Sequence, residues 1–245
     1  LEGVAETGGF RGVVAPQRKG RRAADCLGVA GYSGQRGRAE DISGNGKHMT
    51  QAASWSRPLR KVASQNGLDS ALFDGSDDVL SAGDVADMLD KPVHVFSVHK
   101  WSSGANTALL NKASYTSEPR WGLLILAGDI YTVLQTNAHY GITTPATDAS
   151  SHTTLEQYSA IGKREVGSSA TVLLRRRSYQ QWASNTVTEN RTSHNTALNT
   201  QIGINSGASY YGGYVCETAK YSAELNDAQI KRIEGSSMRK WIING

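Results

Sequence analysis

Between Gly212 and Trp241 the hydrophobic period of the chain switches from that of a strand to that of a helix, and this junction limits the folds open to the rest. Two glycines lead into residues 214–221, which read as a strand, and residues 222–224 break it. Asn226 is then a good N-cap, with Gln229 three residues on, where a capping-box partner reaches back. Ile230, Ile233 and Trp241 fall near one stripe at helical spacing, with Ser237 filling the gap. Lys231, Arg232, Arg239 and Lys240 lie elsewhere, and basic residues in the last turns suit the negative end of the helix dipole. A lone helix closing a strand-rich chain has a sheet to pack against.

Upstream, the strand signals recur. Residues 41–51 form a turn-rich loop leading into a polar strand, and Arg57-Pro58 reads as a linker. Leu72-Phe73 and Val79-Leu80 flank a tight acidic turn. Residues 93–100 carry apolar side chains on both faces, as an inner strand does. Residues 121–127 and 130–135 flank Gly128-Asp129, a two-residue hairpin signal. Further strands are expected at 170–174, at 179–183 before the turn-like Ser184-Asn185-Thr186, and at 200–204. Short strands closed by turn residues predict an all-β chain: a two-sheet antiparallel jelly-roll sandwich with a short C-terminal helix.

The first 46 residues differ, holding 11 of the 26 glycines and only Phe10 and Tyr32 as aromatics. Such composition buries too little apolar surface to offset its own ordering entropy. Residues 1–40 carry seven basic and four acidic side chains, whereas the remainder holds nineteen and eighteen and is nearly neutral. A Gly/Arg-rich N-terminal arm over residues 1–40 is therefore expected, followed by the sandwich over 41–245. Arg18, Lys19, Arg21, Arg22, Arg36 and Arg38 are its candidate contacts with neighbouring subunits. Nucleic acid is the less favoured partner, because no interleaved aromatics supply stacking platforms. Hydrophobic content is 38% and mean hydropathy −0.43, with no apolar run near the ~20 residues of a membrane helix. Residues 1–5 lack the basic region and apolar core of a secretory signal. Cys26 and Cys216 are too few for a disulfide scaffold and are expected as free thiols.

An ordered series of motifs resembles a known family. It comprises Asp41-x-Ser43-Gly44-Asn45-Gly46-x-His48-x-Thr50-Gln51, Arg57-Pro58, Phe73-Asp74-Gly75-Ser76-Asp77-Asp78, residues 93–98 and Leu110-Asn111-Lys112. Gly213-Tyr214-Val215-Cys216-Glu217 follows, leading through Leu225-Asn226-Asp227-Ala228-Gln229-Ile230 to Lys240-Trp241. Over residues 41–245 this series resembles the concanavalin A-like, laminin-G-type jelly rolls of phage virion proteins and bacterial surface proteins. The Trp-Leu-Asp opening strand of that family has no legible counterpart in residues 1–40. The resemblance implies a non-catalytic virion structural protein, a phage capsid decoration or fibre protein, displayed at the virion surface among capsid subunits and copies of itself. The alternative it implies is a carbohydrate-binding lectin or adhesion module on a virion, a cell surface or in secreted form, with a surface glycan as partner.

Relatives of this fold that hydrolyse glucans set Glu-x-Asp-x-x-Glu along one strand, so that the acids share a face. No such triplet occurs, and Glu217 is expected to pair within the fold, so no enzyme activity is expected. Gly31-Tyr32-Ser33-Gly34-Gln35 misses the last glycine of a nucleophile elbow, and Gly46-Lys47-His48 lacks the Ser or Thr of a phosphate loop. His94 and His99, five apart on a strand, face opposite ways. Asp74, Asp77 and Asp78 could offer oxygen ligands to Ca²⁺, but capping of their own turn is the favoured role. Tyr210, Tyr211 and Trp182 could form a sugar-stacking platform, but a place in the core is the favoured reading and no site is assigned to them.

Overall fold

The computed structural model of the chain describes residues 27–33, 37–85, 93–104, 107–112, 120–126, 129–135, 140–143, 156–165, 169–176, 180–188, 198–205, 209–223 and 225–243. Its strands begin with β1 (Leu27–Ser33), β2 (Arg38–Asp41), β3 (Met49–Thr50), β4 (Leu59–Gln65), β5 (Leu68–Asp74) and β6 (Leu80–Ser81). Next come β7 (Val93–Ser103), β8 (Thr107–Lys112), β9 (Arg120–Leu126), β10 (Asp129–Gln135), β11 (Tyr140–Thr143) and β12 (Glu156–Glu165). The last are β13 (Ser169–Arg176), β14 (Gln180–Thr188), β15 (Thr200–Ile202), β16 (Ile204–Asn205), β17 (Ser209–Tyr210) and β18 (Gly212–Tyr221), before helix α1 (Asp227–Trp241).

All pairings are antiparallel, and the ladder runs β11-β10-β9-β8-β15-β6-β3-β2-β1-β18-β7-β12-β13-β14, with β5 and then β4 beside β18. This continuous ladder doubles over on itself, since β9, β10 and β11 pack across β7, β12, β13 and β14. Between the layers lies one core, containing Val93 and Val95 of β7, Leu110 of β8, Leu123 and Ile125 of β9, and Val215 of β18. The chain is an all-β antiparallel sandwich with one short C-terminal helix.

β18 organises the back layer. One edge pairs with β7 from Gly212↔Ser103 to Tyr221↔His94. The other edge takes β5 over Gly212–Val215 and β1 over Thr218–Lys220, set end to end. Gly213, at φ +138°, is needed here: a Cβ would lie 2.2 Å from the Lys100 carbonyl oxygen. The register shifts again between Val215 and Glu217, a bulge that turns Cys216 and Glu217 both toward α1. Thr218 and Lys220 return to the interior, where the fully buried Lys220 ammonium bonds the Ser222 hydroxyl and sits 5.6 Å from the Trp121 ring of β9. That contact ties the two layers together.

Helix α1 forms as its sequence directs. Asn226 Oδ1 accepts the Gln229 N–H at 2.9 Å while Gln229 Oε1 accepts the Asn226 N–H at 2.9 Å, the reciprocal capping box. Its buried face is Ile230, Glu234, Ser237, Met238 and Trp241, and Met238 and Trp241 pack on Val98 and Cys216. Glu217 Oε2 accepts both Trp241 Nε1–H and Lys240 Nζ–H at 2.9 Å, locking the helix to β18. Gln65 and Asn66, in the β4–β5 turn, donate to the carbonyls of Trp241 and Lys240, satisfying orphan acceptors of the last turn. No helix among the described residues is long and apolar enough to cross a membrane.

Several expectations are corrected. Residues 27–33 and 38–40, expected in the extended N-terminal assembly arm, lie in strands β1 and β2 of the sandwich. β1 is short and glycine-rich, and its backbone partners on β18 and β2 supply the stability that its own pattern lacks. The sandwich thus includes an opening strand after all. β14 runs straight through Ser184, Asn185 and Thr186, which pair with Leu173, Val172 and Thr171 instead of turning. β12 has no counterpart in the sequence reading because its polar ends conceal it, yet it lies between β7 and β13. The linker at Arg57-Pro58 leads directly into β4, and the Leu126↔Asp129 pair places the β9–β10 link at 127–128. Gly203, at φ +96°, splits the expected strand at 200–204, since a Cβ there would meet the Phe73 ring at 2.5 Å.

The helix ends on Ile242, a β-branched residue in the left-handed region (φ +49°) whose side chain is 57% exposed. Replacing it with glycine removes the Cβ penalty and sacrifices little buried surface, so Ile242→Gly is expected to raise stability by about 1 kcal/mol. Urea unfolding of the two proteins measures this, and a loss of stability would contradict it.

Candidate functional site

Two adjoining loops of the sandwich carry a connected set of polar side chains. The first, Gln51 to Arg57, contains one turn of 3₁₀ helix at Ser54–Ser56. Its geometry is set by side-chain bonds. Gln51 Oε1 accepts the Ala53 N–H at 3.0 Å and Gln51 Nε2 donates to the Val79 carbonyl at 3.4 Å. Arg57 donates from Nε to the Gln51 carbonyl at 2.8 Å and from Nη2 to the Ala52 carbonyl at 2.6 Å. At the apex stands Trp55, 77% exposed.

The second loop is the acidic turn between β5 and β6. Asp74 Oδ1 accepts the N–H groups of Ser76 (2.8 Å) and Asp77 (3.3 Å), and Asp78 Oδ2 accepts the Asp74 N–H at 2.9 Å. Ser56 joins the two loops: its hydroxyl donates to Asp77 Oδ2 at 3.3 Å and its carbonyl accepts the Val79 N–H at 3.2 Å. Asp74 is exposed, Asp77 half-buried and Asp78 buried, with their ligand atoms within 4.8 Å of one another. Asp74 and Asp78 hold the turn by accepting its backbone N–H groups, and Asp77 ties it to Ser56. Burial, opposed by the Asp74 N–H bond and reinforced by the Asp74 and Asp77 charges, pushes the Asp78 carboxyl up to about 6.

Elsewhere the candidates separate. Arg38 lies on β2 within the sheet, paired with Glu40 at 2.9 Å; Arg18, Lys19, Arg21, Arg22 and Arg36 lie outside the described residues. Asp41 closes its own loop by accepting the N–H groups of Ser43 and Lys47, each at 2.8 Å. His94 accepts the Leu225 N–H on the helix side of β7, while His99 meets Ser97 on the inner side, so they share no site. Burial, then the Glu217 charge, pushes the Cys216 thiol up to about 12; Cys26 lies outside the described residues. Tyr211 is buried edge-to-face on Phe73, Tyr210 is half-buried, and the Trp182 side chain lies outside the described set. Trp55 was not legible as a site residue. The available signal was a large aromatic between two serines, in a stretch without strand or helix period.

No protein-family model and no curated protein sequence matches the chain. Solved structures do. The binding domain of Paraclostridial Mosquitocidal Protein 1 superposes with a TM-score of 0.64 at 8% identity, over 90% of this chain and 56% of that one. The botulinum neurotoxin serotype D binding domain gives 0.62 at 13%, over 89% and 52%. Domain 4 of AbnA, a GH43 extracellular arabinanase from Geobacillus stearothermophilus solved in complex with arabinotriose, gives 0.61 at 12%, over 86% of this chain and 99% of that domain. The chain spans about half the length of the two toxin domains and nearly all of the arabinanase domain. These likenesses establish the class: a β-sandwich of the jelly-roll kind.

Asp78 yields a pH signature. Its folded-state carboxyl holds a proton to about 6, against an ordinary value of 3.8. Its contribution to stability is therefore full below the lower value and is lost as pH rises through the higher one. Asp78→Asn is expected to flatten this loss. Melting temperatures of both proteins from about pH 3.5 to 7 measure it, and a wild type that gains stability relative to the variant across that window would contradict it.

Proposed function

We propose that this chain is a non-catalytic binding module that recognises carbohydrate and is displayed on a virion or cell surface. One observation supports the carbohydrate part most: nearly all of the arabinanase domain solved with arabinotriose is matched by this chain. A sandwich of about this size is the unit that was solved with the sugar in that protein. Catalysis is not invoked, because Glu217, the acid on the long central strand, is engaged by Lys240 and Trp241 in holding the helix. A carboxylate fixed by two donors is a structural clamp, poorly placed to exchange protons with a substrate.

A second reading, a phage capsid decoration or fibre subunit that self-associates and contacts other virion proteins, is supported by the motif series and the basic N-terminal segment. With β1 and β2 in the sandwich, the anchoring role falls to residues 1–26 and their cluster Arg18, Lys19, Arg21 and Arg22. The two readings are compatible, since a decoration protein can display a glycan-binding face.

Affinity electrophoresis of the full chain through gels containing arabinan, xylan, galactan or β-glucan tests the carbohydrate reading, with a reducing-sugar assay run in parallel. Retardation in at least one gel, competed by the matching oligosaccharide and without release of reducing ends, is the expected result. Mobility unchanged in every gel, or sugar release abolished by Glu217→Gln, would contradict it.

A further inference from the structure

We propose that the rim formed by Trp55 and the acidic turn is the sugar subsite, with the indole stacking on the C–H face of a pyranose or furanose ring and the Asp74 and Asp77 carboxylates accepting its hydroxyls. This inference rests on the carbohydrate reading above and gives it a location. Trp55 is the anomaly that carries it. The other tryptophans whose side chains are described are each engaged within the fold. Trp121 faces the Lys220 ammonium, Trp241 donates to Glu217, and Trp101 donates to the Gly104 carbonyl at 3.2 Å. Among the described residues no hydrogen bond or ring contact engages the Trp55 ring, which leaves most of a large apolar surface in water.

The backbone beneath that ring is nevertheless held tightly. Hydrogen bonds of Arg57, Gln51 and Ser56 surround the Ser54–Ser56 turn, tying it to Asp77 and Val79. Gly37, at φ +54°, makes room for this, as a Cβ there would lie 2.6 Å from Arg57 Nε. The aromatic platform is thus presented at a fixed place before any ligand arrives, which reduces the ordering cost of binding. Its surroundings select the ligand. Ser54 adjoins Trp55 and is exposed, and the acidic turn, with Asp74 exposed and Asp77 half-buried, is bonded to the same turn through Ser56, so hydroxyl and carboxylate groups accompany one flat apolar face. A sugar ring is complementary to that arrangement, with C–H groups on one face and hydroxyls around its edge.

A protein ligand fits less well. The other exposed apolar residues nearby in sequence, Leu59 and Val62, sit on β4, whose register breaks between Lys61 and Gln65 around Ala63 at φ +49°. A bulged edge of this kind resists strand addition.

The test compares wild type, Trp55→Ala, Trp55→Tyr and Asp77→Asn in the same polysaccharide gels, with tryptophan fluorescence titration by arabinotriose and by xylotriose. Trp55 is exposed, so Trp55→Ala is expected to keep the wild-type melting temperature while losing affinity about tenfold or more, as truncation of an aromatic anchor does. Trp55→Tyr should recover part of the loss, and iodide quenching of wild type should fall on adding sugar. Binding by wild type with equal binding by Trp55→Ala would overturn the subsite and leave the carbohydrate reading standing. A Trp55→Ala effect confined to self-association in sedimentation would likewise overturn the subsite alone, whereas a wild type that binds no sugar would overturn both.

Discussion

Strand β18 is paired on both edges at once, and the remaining architecture depends on that. Against β7 it forms the longest ladder of the back layer; on its other side β5 and β1 divide its length between them. Because every backbone donor and acceptor removed from water has to find a partner, a central strand with three neighbours fixes where each of those neighbours lies. The bulge at Val215–Glu217 adds the third dimension. It turns Cys216 and Glu217 outward together, so α1 can seat Met238 and Trp241 on the apolar sulfur while its indole and a lysine bond the carboxylate. Without the extra residue, one of the two would point into the core.

The same strand explains the buried charge inside the sandwich. Lys220 follows the bulge on the inner side, beneath Trp121 of the opposite layer and beside Ser222. An ammonium fully removed from water is costly unless it is well satisfied, and its ring contact spans the two layers. Lys112 solves the same problem differently, with Nζ 2.6 Å from Asp84 in the strap between β6 and β7. The Lys220–Trp121 contact restricts the relative slide of the layers in a way that methyl groups alone would not.

Elements whose stability is local were legible in the chain. The Asn226–Gln229 capping box, the apolar run of β7, and the Asp74–Asp78 turn all follow from residues within a few positions of one another. Elements stabilised by distant partners were not. β1 is a weak strand that exists because β18, near the other end of the chain, offers it an edge, as the Leu27↔Lys220 pair records. β14 continues through Ser184-Asn185-Thr186 because β13 lies alongside, and tertiary pairing overrides turn propensity there. The acidic turn could be read as a cap from its residue types, but the rim it forms with Trp55 could not. That proximity arises from Ser56 and Gln51 meeting Asp77 and Val79, residues far from them in sequence. An exposed tryptophan and a buried one look alike in a sequence until the neighbouring loop is placed.

Native-state hydrogen exchange followed residue by residue tests the central position of β18 most directly. The amides of residues 214–220 are expected to exchange only through global unfolding, with a free energy equal to that from urea denaturation, while those of the bulged edge strand β4 exchange through local opening. Exchange of the β18 amides at the rate of β4, or well before the β7 amides, would contradict the account.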